Sequence, residues 1–134
     1  MFGTQKYITL ETAQQMAAAG EAEAKRNNWA VAIAVVDAGM NLILFQKMDG
    51  VQTASIEVAI GKARTAAGFK RPTKALEDMI TGGRTPFLAV PGILPVQGGL
   101  PVTVDGEVIG AVGASGLTSP QDEQVVEAAL EALS

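Results

Sequence analysis

The spacing of hydrophobic residues changes period several times along the chain. Leu10, Ala13, Ala17, Gly20 and Ala24 recur at helical spacing. Thr9 stands where an N-cap belongs, Glu11 and Glu21 lie early, Lys25 and Arg26 late, and Asn27-Asn28 supplies the stop. At Trp29 this pattern gives way to the continuous apolar run AVAIAVVD, a Gly-containing turn at Asp37-Ala38-Gly39, and the second run NLILFQKMD. Two short apolar runs about such a turn predict a β-hairpin whose first strand is buried on both faces.

A second helical pattern runs from Thr53 to about Phe69, and Arg71-Pro72 breaks it. Thr73 is expected to cap a short helix, KALEDMI, and the Gly- and Pro-rich stretch from Thr81 to Gly92 is a long loop of the kind that borders sites. ILPVQGGLPVTV is interrupted by Gly98-Gly99 and Pro101, which suits an edge or kinked strand, and Asp105-Gly106 turns it into EVIGAVGAS. Gly110, Gly113 and Gly116 mark backbone approached closely by a helix, a subunit or a ligand. Ser119-Pro120-Gln121-Asp122 reads as a capping box opening the last helix. Strands joined as hairpins imply an antiparallel sheet flanked by helices, an α+β fold without Rossmann crossovers. At 134 residues the chain is one domain, 1–134.

Composition narrows the chemistry. There is no cysteine and no histidine, which removes disulfides, thiolate and imidazole catalysis, and zinc sites of the usual kind; no metal site is expected. Net charge is −4 and the ten Lys and Arg are scattered, so neither nucleic acid nor a membrane surface is an expected partner. The start, MFGTQKYITLE, lacks the layout of a signal peptide, which makes cytoplasmic residence the expectation. A small molecule is the expected partner.

The Thr53 to Phe69 helix carries the candidate chemistry. Ala59, Ala63, Ala66 and Ala67 form a narrow small-residue face, and Glu57, Gly61, Arg64 and Gly68 run along its neighbour, so a cleft beside the two glycines would be lined by Glu57 and Arg64. The plain alternative is a solvated face beside ordinary core. Lys62, set among alanines, would act as a base or carbonyl-binding amine if partly buried, and Arg64 as a carboxylate clamp. If Lys62 is structural, Glu57 or Asp49 is its expected partner. The run GAVGASG before the last helix has the wrong spacing and context for a dinucleotide fingerprint.

The segments AIAVVDAGMNLILFQKMDG, SIEVAIGKARTAAGFKRPT, GGLPVTVDGEVIGAVGASG and QDEQVVEAAL, in this order over almost the whole chain, resemble the GlcG/HbpS family, which also occurs as the C-terminal domain of PduO-type cobalamin adenosyltransferases. The resemblance implies a profilin-like three-layer domain: a five-stranded antiparallel sheet with helices on both faces, assembled into a homo-oligomer, a dimer or larger. Its motif positions include Asp37, Met48-Asp49-Gly50, Ser55, Lys62, Gly98-Gly99 and Ser115. Members bind haem or stand beside catabolic enzymes for small organic acids or aldehydes. Haem binding in such members involves histidine. Here axial ligation would fall to Met, Tyr7 or Lys, so weak or absent haem binding is expected and no cofactor is assigned.

Two functions follow. One is a binding protein for an anionic or carbonyl-bearing metabolite, with Asp37, Met48, Asp49, Gly50, Ser55, Gly98, Gly99 and Ser115 as ligand-binding residues. The other is a small isomerase or lyase acting on an oxo- or hydroxy-acid through Lys62, Glu57 and Arg64. The expected site lies between the Met48-Asp49-Gly50 turn, the helix carrying Glu57 and Lys62, and the Gly98-Gly99 strand.

Overall fold

A computed structural model describes residues 1–134. The helices are α1 (Leu10–Arg26), α2 (Ala54–Phe69), α3 (Thr73–Thr81) and α4 (Ser119–Glu131), with a 3-10 turn over Thr85–Ala89. The strands are β1 (Ala32–Asp37), β2 (Leu42–Lys47), β3 (Gly99–Val104) and β4 (Glu107–Ser115), in one antiparallel sheet ordered β2-β1-β4-β3. The α+β class is as expected, and the sheet has four strands where five were expected. Residues 93–98 form no strand. Pro95 lies among them, and side chains of the helices fasten this stretch instead: Leu94 N–H donates to Thr65 Oγ1 (2.9 Å) and Gln97 N–H to Glu77 Oε1 (3.1 Å).

The two faces of the sheet are built differently. Ile33, Val35, Val112 and Ala114 face α1 and α4 and pack with Met16, Ala17, Val125 and Val126. Ala32, Ala34, Val36 and Ala111 face α2 and pack with Ala59, Ala63, Ala66 and Ala67, with Phe45, Val51 and Ile60 at the margin. Gly113 makes this second seam possible, since a Cβ there would stand 2.4 Å from the Ala59 carbonyl oxygen and 2.6 Å from the Ala63 nitrogen. The close approach expected along the glycine series is therefore, at Gly113, that of a helix.

Two caps differ from expectation. The capping box of α4 is made by Thr118 and Gln121, one residue before Ser119. Thr73 is the first residue of α3 and caps nothing; its Oγ1 accepts from Gly99 N–H (3.0 Å) and donates to Gly99 C=O (3.4 Å), fastening α3 to the start of β3.

Candidate functional site

Lys62 is 2% exposed and its charge is already engaged. Its Nζ donates to Asp122 Oδ2 (2.9 Å) and to the Ala114 carbonyl (3.0 Å). Asp122, also 2% exposed, accepts from Leu117 N–H (3.0 Å) on its other oxygen. Burial pushes the Asp122 carboxyl above its ordinary range, and the Lys62 ammonium and Leu117 N–H pull it part of the way back. The partner of Lys62 is thus Asp122, in place of Glu57 or Asp49. A buried lysine needs such a partner, and this one joins α2 to α4 past the end of the sheet.

The glycine pair admits this lysine. A Cβ at Gly98 would stand 2.7 Å from Lys62 Nζ, and one at Gly99 would stand 2.5 Å from the Lys62 carbonyl oxygen. Gly98 and Gly99 are therefore packed against α2, and the ligand path expected along them is filled. The cleft expected beside Gly61 and Gly68 is filled too: Leu94 carbons lie 3.3 Å from a Cβ placed at Gly61, and the Met40 sulfur 2.8 Å from one at Gly68. Glu57 and Arg64 are exposed on the outer side of α2, with Arg64 Nε donating to the Met40 carbonyl (3.2 Å). Lys62 does not share a cleft with them.

The remaining expected residues separate into groups. Asp37 holds its own turn, accepting from the backbone N–H groups of Gly39 and Asn41, each at 2.9 Å. Ser55 and Ser115 are buried, and Ser55 Oγ lies 3.3 Å from the Gln52 amide. Gly50 is exposed at φ +90°, with open space around it. Met48 and Asp49 do border an open groove, of about 450 Å³, with Glu21, Lys25, Asn28, Trp29, Ala30 and Lys47.

That groove lies between the end of α1 and the end of β2. Trp29 packs against the core from there, and its backbone N–H donates to the Ala24 carbonyl at the end of α1 (2.8 Å). Lys25 is paired with Glu21 (3.3 Å), whereas Lys47 has no ion pair within the chain. The groove thus sets an indole among two ammonium groups and two carboxylates, Glu21 and Asp49, with Lys47 as its unpaired cation and Met48 as a soft neighbour. Trp29, Lys25 and Lys47 were not singled out from the sequence, although Lys47 adjoins the Met48-Asp49-Gly50 motif. A second, mainly apolar groove of about 460 Å³ contains Tyr7, Ile8, Val102, Val104, Ile109 and Leu133. No helix of the chain is long and apolar enough to cross a membrane.

Comparison with known proteins agrees with the fold. Residues 8–131 match the family described as HbpS-like, haem degrading protein HbpS-like. The chain is 44% identical to Protein GlcG of Escherichia coli K12 over 112 residues, 84% of each chain. It is 40% identical over 131 residues to an uncharacterized 15.0 kDa protein of the Citrobacter freundii dhaT-dhaS intergenic region, covering 95% of this chain and 92% of that one. The crystal structure of Klebsiella pneumoniae ORFY superposes with a TM-score of 0.91 at 38% identity, covering 98% of this chain and 95% of that one. That of a Streptomyces reticuli HbpS double mutant gives 0.93 at 30% identity, over 99% and 91%. A PduOC:heme complex gives 0.87 at 25% identity, over 95% of each chain. With most of its length matched by the family and by these relatives, the chain belongs to the HbpS-like family, GlcG among its members.

Proposed function

We propose that this protein binds a small anionic or carbonyl-bearing organic metabolite in the groove over Trp29. The observation that carries the reading is the placement of Lys47, without an ion pair of its own, beside a half-buried indole and the Met48-Asp49 turn. A carboxylate gains charge-assisted hydrogen bonds from such an ammonium, and its carbon skeleton gains cover from the ring. Catalysis by Lys62, Glu57 and Arg64 is disfavoured, because the amine is bound to Asp122 inside the protein and the other two side chains lie outside.

Haem is the group that the family description and the PduOC:heme complex bring to mind. The donors here do not fit it well. Histidine and cysteine are absent, and the Met48 thioether and Tyr7 phenol border different grooves.

Trp29 is the chain's single tryptophan, so its fluorescence reports the groove directly. Titration with a panel of short 2-hydroxy and 2-oxo carboxylates is expected to give a saturable change, with binding weakened about tenfold by Lys47→Met, the loss of one charge-assisted contact. A flat response to every acid, or a response that Lys47→Met leaves unaltered, would remove the reading.

A further inference from the structure

The fold gathers cations that the sequence scatters. Five of the ten, Arg64, Lys70, Arg71, Lys74 and Arg84, lie between residues 64 and 84, where Glu77 and Asp78 are the only carboxylates. Lys74 takes both of those, at 4.0 Å and 2.6 Å. The other four cations are exposed and form no ion pair, in a chain that carries fourteen carboxylates.

Three contacts bring them round the C-terminal end of α2. Arg71 Nε donates to the Phe69 carbonyl (3.2 Å). Arg64 Nε, about two turns earlier, donates to the carbonyl of Met40 (3.2 Å), whose side chain lies on Gly68. The 3-10 turn over Thr85–Ala89 folds back onto the same helix end through Phe87, its ring centroid 5.6 Å from that of Phe69. Arg84 comes with it and rests on an aromatic ring instead of a carboxylate, its Cζ 5.9 Å from the Phe87 centroid.

Cations just beyond a helix C-terminus complement its dipole, which accounts for Lys70 and Arg71. It does not account for Arg84, which belongs to a loop, or for Arg64 on the outer side of the helix. Nor does it account for the apolar side chains left open beside them, Leu88 at 60% and Met40 at 45% exposure. A guanidinium with one N–H tied to a carbonyl, or with its face laid on a ring, holds its remaining donors in a fixed fork suited to carboxylates. None of the four grooves reaches these residues, so a small anion here would stay open to water and gain little. An extended partner that makes several such contacts together and covers the apolar side chains gains more.

We infer that the surface round the end of α2 docks an acidic segment of another protein, which sets carboxylates on Arg64, Arg71 and Arg84 and apolar side chains against Met40 and Leu88. Charge complementarity favours such a partner over nucleic acid. The positive surface is local and the chain as a whole carries −4, so a short acidic segment is attracted where a long polyanion is repelled by the rest of the molecule.

Fluorescence anisotropy of a labelled peptide of repeating Glu-Glu-Leu, titrated with the full chain, tests this. A saturable rise is expected, absent for a peptide of repeating Lys-Lys-Leu and weakened severalfold between about 50 and 200 mM salt. Arg71→Gln and Arg84→Gln are each expected to weaken binding about fivefold, and together more than about tenfold, while Arg84→Gln leaves the melting midpoint where it was. If these side chains only cap the helix, Arg71→Gln lowers the melting midpoint and neither substitution alters the affinity, and the proposal fails. No binding of the acidic peptide at low salt, or tighter binding of a single-stranded oligonucleotide of the same length, would also overturn it.

Discussion

Lys62 of α2 and Asp122 of α4 meet at 2.9 Å, although their helices lie on opposite faces of the sheet. Both side chains are withdrawn from water, so each is the other's main compensation for lost hydration. Lys62→Met is expected to lower stability by about 3–5 kcal/mol, the usual cost of stranding one member of a buried pair. Pairing it with Asp122→Leu is expected to recover most of that loss. Urea unfolding of the two variants checks this, and a single variant as stable as wild type would show the pair to be dispensable.

Asp122 sets a direction for the pH dependence of folding. Its carboxyl is pushed up in the folded protein, so its own contribution is full below the unfolded value of 3.8 and is lost as pH rises through the folded one. Glu23 has the opposite sign. Hydrogen bonds from Gln124 on α4 and Arg26 hold it below 4.5, so its contribution is present above 4.5 and is lost as pH falls through the folded value. Glu23→Gln is expected to flatten the acid limb of the stability profile, by no more than about 1 kcal/mol, since the Arg26 partner is itself solvent-exposed. Denaturation midpoints measured from neutral pH down to about pH 3 test the slope.

Gly113→Ala is expected to destabilise by about 1–3 kcal/mol or more, because the new methyl meets backbone atoms of α2 that cannot rotate aside. Gly50→Ala should cost about 1 kcal/mol, the left-handed backbone penalty alone, since nothing lies within 4 Å of that position. Thermal melts of the two variants give the comparison, and equal losses would contradict the close approach at Gly113.

Ferric haem is expected to bind weakly or not at all. A spectral titration should show no sharp Soret shift at one haem per subunit. A stoichiometric shift, abolished by changing Met48 or Tyr7, would reverse this expectation and identify the ligand.

The helices, the hairpins and the α+β class were legible because each rests on local spacing or turn chemistry. The site was less legible because it depends on which elements meet. Lys62 was recognised as a lysine among alanines, but its partner was sought among the carboxylates nearest in sequence. The better signal lay sixty residues away on α4, where Asp122 shares the helical stripe of Val125, Val126 and Ala129, a carboxylate on a buried face. The glycine pair at Gly98-Gly99 was read as backbone that a ligand would touch, whereas the group that approaches it is the lysine helix itself. Trp29 gave no periodic signal, since its position on a groove depends on how α1 ends beside β2.

The centre of the seam between α2 and the sheet is made largely of alanine methyl groups and bare glycine backbone. Alanine and glycine have no side-chain rotamers to lose on folding, so this layer closes without the ordering cost that a leucine-rich interface carries. By the same token its centre has few flexible side chains with which to absorb a disturbance, and a push there tends to displace the helix as a whole. Through Lys62, such a displacement reaches α4 on the far side. The helix that holds the most conspicuous charge in the chain thus acts as a stiff spacer, and chemical variation is left to the ends of the strands, where side chains are free to change.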